Sequence, residues 1–61
     1  MNETFFKLIG IEDTDENALF SCSFCGNIIP IELDENGAIV LPDIGETCPE
    51  CDAVIRRIDL E

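Results

Sequence analysis

The chain contains no histidine, tryptophan or tyrosine, and it has three basic residues, Lys7, Arg56 and Arg57, among 61 positions. Without histidine, no side chain ordinarily trades protons near neutral pH, which removes the commonest general base of hydrolytic enzymes. Three cations are too few to neutralise a run of phosphates, so direct nucleic-acid binding is disfavoured, as is attraction to anionic lipid headgroups. No apolar run approaches the length needed to cross a bilayer. The start, Met1-Asn2-Glu3-Thr4, is acidic where a secretory signal needs positive charge, and Phe5-Phe6-Lys7-Leu8-Ile9 is too short for the apolar core of one. These absences point to the cytoplasm, a reducing compartment where paired cysteines are more often metal ligands or redox groups than disulfides.

What the chain does have is acid and cysteine. Fourteen Asp and Glu give a formal charge of −11, a field that favours a basic protein as partner. At 61 residues there is one domain, too small to stand on a core of ordinary size without a metal, disulfides or a partner. Two Cys-x-x-Cys pairs, Cys22-Ser23-Phe24-Cys25 and Cys48-Pro49-Glu50-Cys51, are separated by the 22 residues from Gly26 to Thr47. A two-residue spacing curls the backbone about a point that both sulfurs face, and the intervening segment is long enough to bring the second turn back to the first. Cys22, Cys25, Cys48 and Cys51 are therefore the candidate ligands of one tetrahedral ion. Four such thiolates around a divalent cation add about two negative charges to the chain. A structural zinc site supplies roughly 10–16 kcal/mol of apparent binding free energy, so the metal-free chain is expected to be mostly unfolded.

Residues beside the ligands have their own requirements. Gly26 follows Cys25 where a left-handed backbone turns amide hydrogens towards the thiolates. Asp52 holds the equivalent place after Cys51 and tolerates that conformation better than most residues, although it brings a carboxylate towards an anionic cluster. Asn27, next after Gly26, is expected to support the ligands as Gly26 and Asp52 do, and Pro49 pre-organises the second turn.

Cys22-Ser23-Phe24-Cys25-Gly26-Asn27 and Cys48-Pro49-Glu50-Cys51 together resemble the two knuckles of the zinc-ribbon family, over roughly residues 19–60. The resemblance implies a small β-rich domain of three to four short antiparallel strands, stabilised by one Zn2+ on the four cysteines. It also implies a role as a docking module or regulator, often within transcription, translation or other nucleic-acid machinery. A weaker resemblance is to rubredoxins, small acidic proteins that hold iron with two such pairs. Against it, Asp52 replaces the small residue expected there, and the chain has no Tyr or Trp where rubredoxins pack aromatic rings around the cluster.

Along the chain, residues 1–11 form an apolar segment in which Phe5, Phe6, Leu8 and Ile9 suit one face of a helical turn, with Thr4 as cap, or equally a strand. Packed on the sheet, the two phenylalanines would finish the core. Residues 12–17 read as an acidic loop and residues 18–61 as the ribbon itself. Within it, residues 18–21 lead into the first knuckle, while Ile29, Ile31 and Leu33 alternate along a strand that Pro30 confines to an edge or bulge. Asn36-Gly37 marks a tight hairpin, with residues 38–41 returning as the partner strand. Val54, Ile58 and Leu60 suggest the apolar face of a last strand interrupted by Arg56, and Arg56 and Arg57 are expected to neutralise neighbouring carboxylates.

These features lead to a non-enzymatic adaptor docking on a larger, basic protein. A four-cysteine shell leaves no open position for a reacting water, and the acidic surroundings oppose a low-pKa dithiol. The alternatives are an iron electron carrier on the same sulfurs and an acidic mimic that blocks a nucleic-acid-binding protein.

Overall fold

The computed structural model describes residues 2–60. Four strands form one sheet: β1 (Glu3–Ile11), β2 (Asn17–Cys22), β3 (Ile28–Glu32) and β4 (Val54–Asp59), in spatial order β3-β2-β1-β4. No helix occurs among the described residues, and so none is long and apolar enough to cross a membrane.

The strand reading of the first segment prevails. Thr4 and Phe6 are buried while Glu3, Phe5 and Lys7 are exposed, the two-residue period of a strand with one covered face. β2 continues the pattern with Ala18, Phe20 and Cys22 inward. Residues 3–11 do not lie on the sheet; they enter it as a central strand, flanked by β2 and β4. Phe5 and Phe6 consequently part company, at 54% and 1% exposure, so only Phe6 belongs to the core.

β1 and β2 form an antiparallel hairpin whose connection is the acidic run. Glu12 N–H donates to the Asn17 carbonyl at 3.0 Å, Asp15 N–H donates to the Glu12 carbonyl at 2.9 Å, and the Asn17 side-chain amide donates to the Glu12 carboxylate at 2.8 Å. Asn17 is thereby drawn out of the loop and into β2. β3 pairs antiparallel to β2 and forms an edge, where the missing N–H of Pro30 is tolerated.

The sheet is mixed, which corrects the expectation of antiparallel strands throughout. β4 runs parallel to β1 because residues 33–53 carry the chain from the β3 edge to the opposite edge, a crossover that parallel pairing requires. Leu33, Ile39 and Cys48 of this crossover pack on the inward side chains of the sheet. The Asn36-Gly37 turn forms within it: Gly37 has φ 81° and donates to the Asp34 carbonyl at 3.0 Å, while the Asp34 carboxylate accepts from the amides of Asn36 and Ala38. Residues 38–41 do not return as a full strand. The pairing is reduced to a Leu33–Ile39 bridge and a bond from Val40 N–H to the Glu32 carbonyl.

The last strand presents a different face from the expected one. Thr4 pairs with Ile55 but Phe5 pairs with Arg57, so Arg56 is an extra residue at a bulge. The bulge shifts the alternation, making Ile55 and Ile58 the core-facing pair and leaving Arg56 and Arg57 both exposed. Leu60 is exposed and Val54 half-buried. Arg56 Nε donates to the Glu3 carboxylate at 2.8 Å, with both side chains 52% exposed, an ion pair of small energetic weight.

Candidate metal centre

Cys22 is the last residue of β2, placed beside Phe6 of β1, and Cys48 follows the short Thr47–Val54 bridge against β4. Each begins a knuckle built on the same two backbone bonds. Cys22 N–H donates to the Asn27 carbonyl at 3.1 Å and Gly26 N–H donates to the Cys22 carbonyl at 2.9 Å. Cys48 N–H donates to the Ala53 carbonyl and Asp52 N–H to the Cys48 carbonyl, both at 2.9 Å. Asn27 therefore contributes its backbone carbonyl to the closure of its turn. The matched pattern demands a left-handed residue after the second cysteine of each pair, and Gly26 (φ 75°) and Asp52 (φ 60°) supply it.

The two turns bring their sulfurs together. All four Sγ atoms lie within 4.8 Å of one another, with Cys22 and Cys51 at 3.7 Å. A tetrahedron with metal–sulfur bonds of about 2.3 Å has edges of about 3.8 Å, so the cluster can hold one metal ion with small adjustments. Cys22 and Cys48 are buried in the hydrophobic cluster, whereas Cys25 and Cys51 are half-buried at its rim. The cluster thus completes the core as well as lining a site.

The sulfurs are electrostatically unequal. Burial works against the Cys22 thiolate, but the Cys25 amide, the Thr4 hydroxyl and the Phe24 amide outweigh it and bring the thiol down to about 6. Burial raises Cys48 despite amide bonds from Glu50 and Cys51. Burial, together with the sulfurs of Cys48, Cys22 and Cys25, pushes Cys51 up to about 12 against an amide bond from Ala53. Sulfurs this close can all be anions only around a cation, so the arrangement is suited to hold a metal ion.

One participant was not legible from the sequence as part of this site. Thr4, read there as a helix cap, is 1% exposed on β1 with its Oγ1 3.0 Å from Cys22 Sγ. The available signal was its place in the alternation: a polar side chain on the inward face with Phe6 needs a buried partner.

The left-handed positions yield a paired expectation. At Gly26 an added Cβ meets no atom within 4 Å, so Gly26→Ala costs only backbone strain, about 1 kcal/mol. Asp52→Gly should gain up to about 1 kcal/mol by removing that strain and a carboxylate from the anionic cluster. Chemical denaturation of the two metal-loaded variants checks the opposite signs.

Comparison of the chain with protein-family models, with curated proteins and with solved structures finds no match.

Proposed function

We propose that this chain is a non-enzymatic zinc-binding adaptor of the zinc-ribbon kind, in which Cys22, Cys25, Cys48 and Cys51 hold one Zn2+ and an apolar groove docks on a larger, basic protein. The supporting observations are the separation of charge along the chain and an apolar groove whose one charged lining residue, among those described, is Glu46. All three cations lie on β1 and β4, while eleven of the fourteen carboxylates fall between Leu8 and Ile55, where the chain has no Lys or Arg. The crossover, which belongs to that acidic stretch, leaves a groove of about 410 Å³ against the covered side of the sheet, floored by Phe6, Ile29 and Ile55 and walled by Leu41, Pro42 and Pro49. Val40, Leu41 and Ile44 stand beside it at 53%, 40% and 57% exposure. An occupant suited to both features brings apolar side chains to the groove and Lys or Arg to its surroundings. In this reading the partner belongs to transcription or other nucleic-acid machinery, as the zinc-ribbon resemblance of the two knuckles suggests, and the protein works in the cytoplasm.

The test captures partners from native extract with the metal-loaded protein and with a Val40→Ser/Leu41→Ser variant, then measures association kinetics for the captured protein. A basic partner lost by the variant, whose association slows as salt rises, is the expected result. Capture unchanged by the variant sinks the groove and favours the acidic-mimic reading, in which carboxylates make the contact. Association indifferent to salt sinks the electrostatic steering.

A second reading, an iron electron carrier, is supported by the partial exposure of Cys25 and Cys51, which brings the sulfurs within reach of a redox partner. Elemental analysis and the visible spectrum of protein purified without added metal separate the two. One zinc per chain without colour is expected; iron with strong visible absorption would promote the electron carrier.

A further inference from the structure

We propose that Thr4 is a positioning residue for the metal site: its hydroxyl donates to Cys22 Sγ and ties the first strand to the first knuckle, so that insertion of β1 and closure of the four-sulfur cluster are one event. The inference rests on the four-cysteine metal reading and goes beyond it, because Thr4 lies outside both Cys-x-x-Cys pairs and 18 residues before Cys22.

Thr4 is the one buried polar side chain among the described residues. Its Oγ1 has four neighbours: Cys22 Sγ at 3.0 Å, Ser23 Oγ at 3.2 Å, Phe24 N–H at 3.2 Å and the Phe5 carbonyl at 3.5 Å. A hydroxyl offers one proton and two lone pairs. The Phe24 amide can only donate, so it fills one lone pair. Ser23 Oγ in turn accepts from Phe5 N–H at 2.9 Å, which leaves its own proton for the second lone pair of Thr4. Two acceptors remain for the single Thr4 proton, and it points at the nearer, Cys22 Sγ at 3.0 Å, rather than at the Phe5 carbonyl at 3.5 Å, the outer limit of a hydrogen bond. A metal-held thiolate carries no proton and can only accept, so the same orientation satisfies every member. The chain of donors runs from Phe5 N–H through Ser23 Oγ–H and Thr4 Oγ1–H to Cys22 Sγ. Ser23 N–H also donates to the Phe5 carbonyl at 3.0 Å, latching backbone to backbone beside it.

The latch is one-sided. Among the described residues no side-chain hydroxyl reaches Cys25, Cys48 or Cys51. Cys22 is therefore the sulfur whose electron density is drawn most towards a side-chain donor, and a hydrogen bond of this kind beside a metal ligand tunes both affinity and the ligand's electronic properties.

Cobalt(II) alone is the probe, because its thiolate charge-transfer band reports sulfur electron density and its affinity is read by competition with a chelator. Thr4→Val removes the hydroxyl while keeping the branched shape, and Thr4→Ser keeps the hydroxyl while removing a methyl. Thr4→Val should bind cobalt 10- to 100-fold more weakly, roughly the usual cost of deleting such a partner, with its charge-transfer band moved to longer wavelength. Thr4→Ser should restore both. Loss of all cobalt binding in Thr4→Val with retention in Thr4→Ser supports the proposal equally. A Thr4→Val protein with unchanged affinity and wavelength overturns it. So does a Thr4→Ser protein as weak as Thr4→Val, which assigns the effect to packing. Weakened affinity at unchanged wavelength in Thr4→Val overturns the bond to sulfur. A native protein that takes up no cobalt overturns the metal reading itself, an outcome distinct from the others.

Discussion

Chelation at neutral pH should unfold the protein, and Cys48→Ser should do so without a chelator. The expectation follows from how little else holds the crossover in place. Residues 33–53 touch the sheet through a few partly buried side chains, Leu33 and Ile39 among them, through the fully buried Cys48, and through short backbone pairings of Val40 with Glu32 and of Gly45, Glu46 and Thr47 with β4. Among the described residues four large apolar side chains are buried: Phe6, Phe20, Ile29 and Ile55. The roughly 10–16 kcal/mol of a structural four-sulfur site is comparable to the whole stability of an ordinary domain, and its loss leaves a chain of this size without a folded state. Acid is a second route to the same end. A thiolate held by a cation titrates below the free thiol, so its stabilisation is present above the free thiol's pKa and is lost as pH falls. Hydrogen bonds bring the Cys22 thiol down whereas burial raises those of Cys48 and Cys51, so metal loss with unfolding is expected progressively as pH falls through the acid range. Circular dichroism and the charge-transfer absorbance, followed together through a chelator titration and a pH titration, should change in step. A chain that keeps its sheet signal after complete metal removal would refute the argument.

The knuckles were legible in the sequence because their chemistry is local. Two cysteines three positions apart, followed by Gly26 or Asp52, specify a turn whose hydrogen bonds close within six residues. The Asn36-Gly37 turn and the edge position of Pro30 are local in the same sense. What escaped is what depends on distant partners. Residues 5, 6, 8 and 9 fit a helical face as well as a strand, and only pairing with β2 on one side and β4 on the other decides between them. The parallel direction of β4 follows from the path of the crossover, which no short pattern records. The bulge at Arg56 changes the parity of the strand, so alternation read through it selects Val54 and Leu60 where the fold uses Ile55 and Ile58. Thr4 belongs to the site through a sulfur far along the chain. The return strand at residues 38–41 fell to a single bridge, with the chain already leaving towards Pro42 and the second knuckle.

The separation of Phe5 from Phe6 gives the second large expected effect. Phe6→Ala should weaken apparent metal affinity by about two to three and a half orders of magnitude, whereas Phe5→Ala should leave it within a few-fold. Phe6 is 1% exposed, lies 6.3 Å from the Phe20 ring centroid and pairs with Cys22 on the neighbouring strand, so truncation empties the space beside a ligand. Such a truncation costs about 3–5 kcal/mol. In a chain that folds as it binds its metal, that cost is taken from the binding free energy, and each 1.4 kcal/mol is tenfold. Phe5, 54% exposed on the opposite face beside Arg57, loses no core contact on truncation. Chelator competition with zinc on the two variants reads the difference directly. Equal losses would mean that the outer face is covered in the folded protein, and no loss at Phe6 would mean that the four sulfurs form their site independently of the sheet. The expected contrast instead makes the sheet and the cluster one cooperative unit, with β1 at its centre carrying Phe6 to the core and Thr4 to the sulfur.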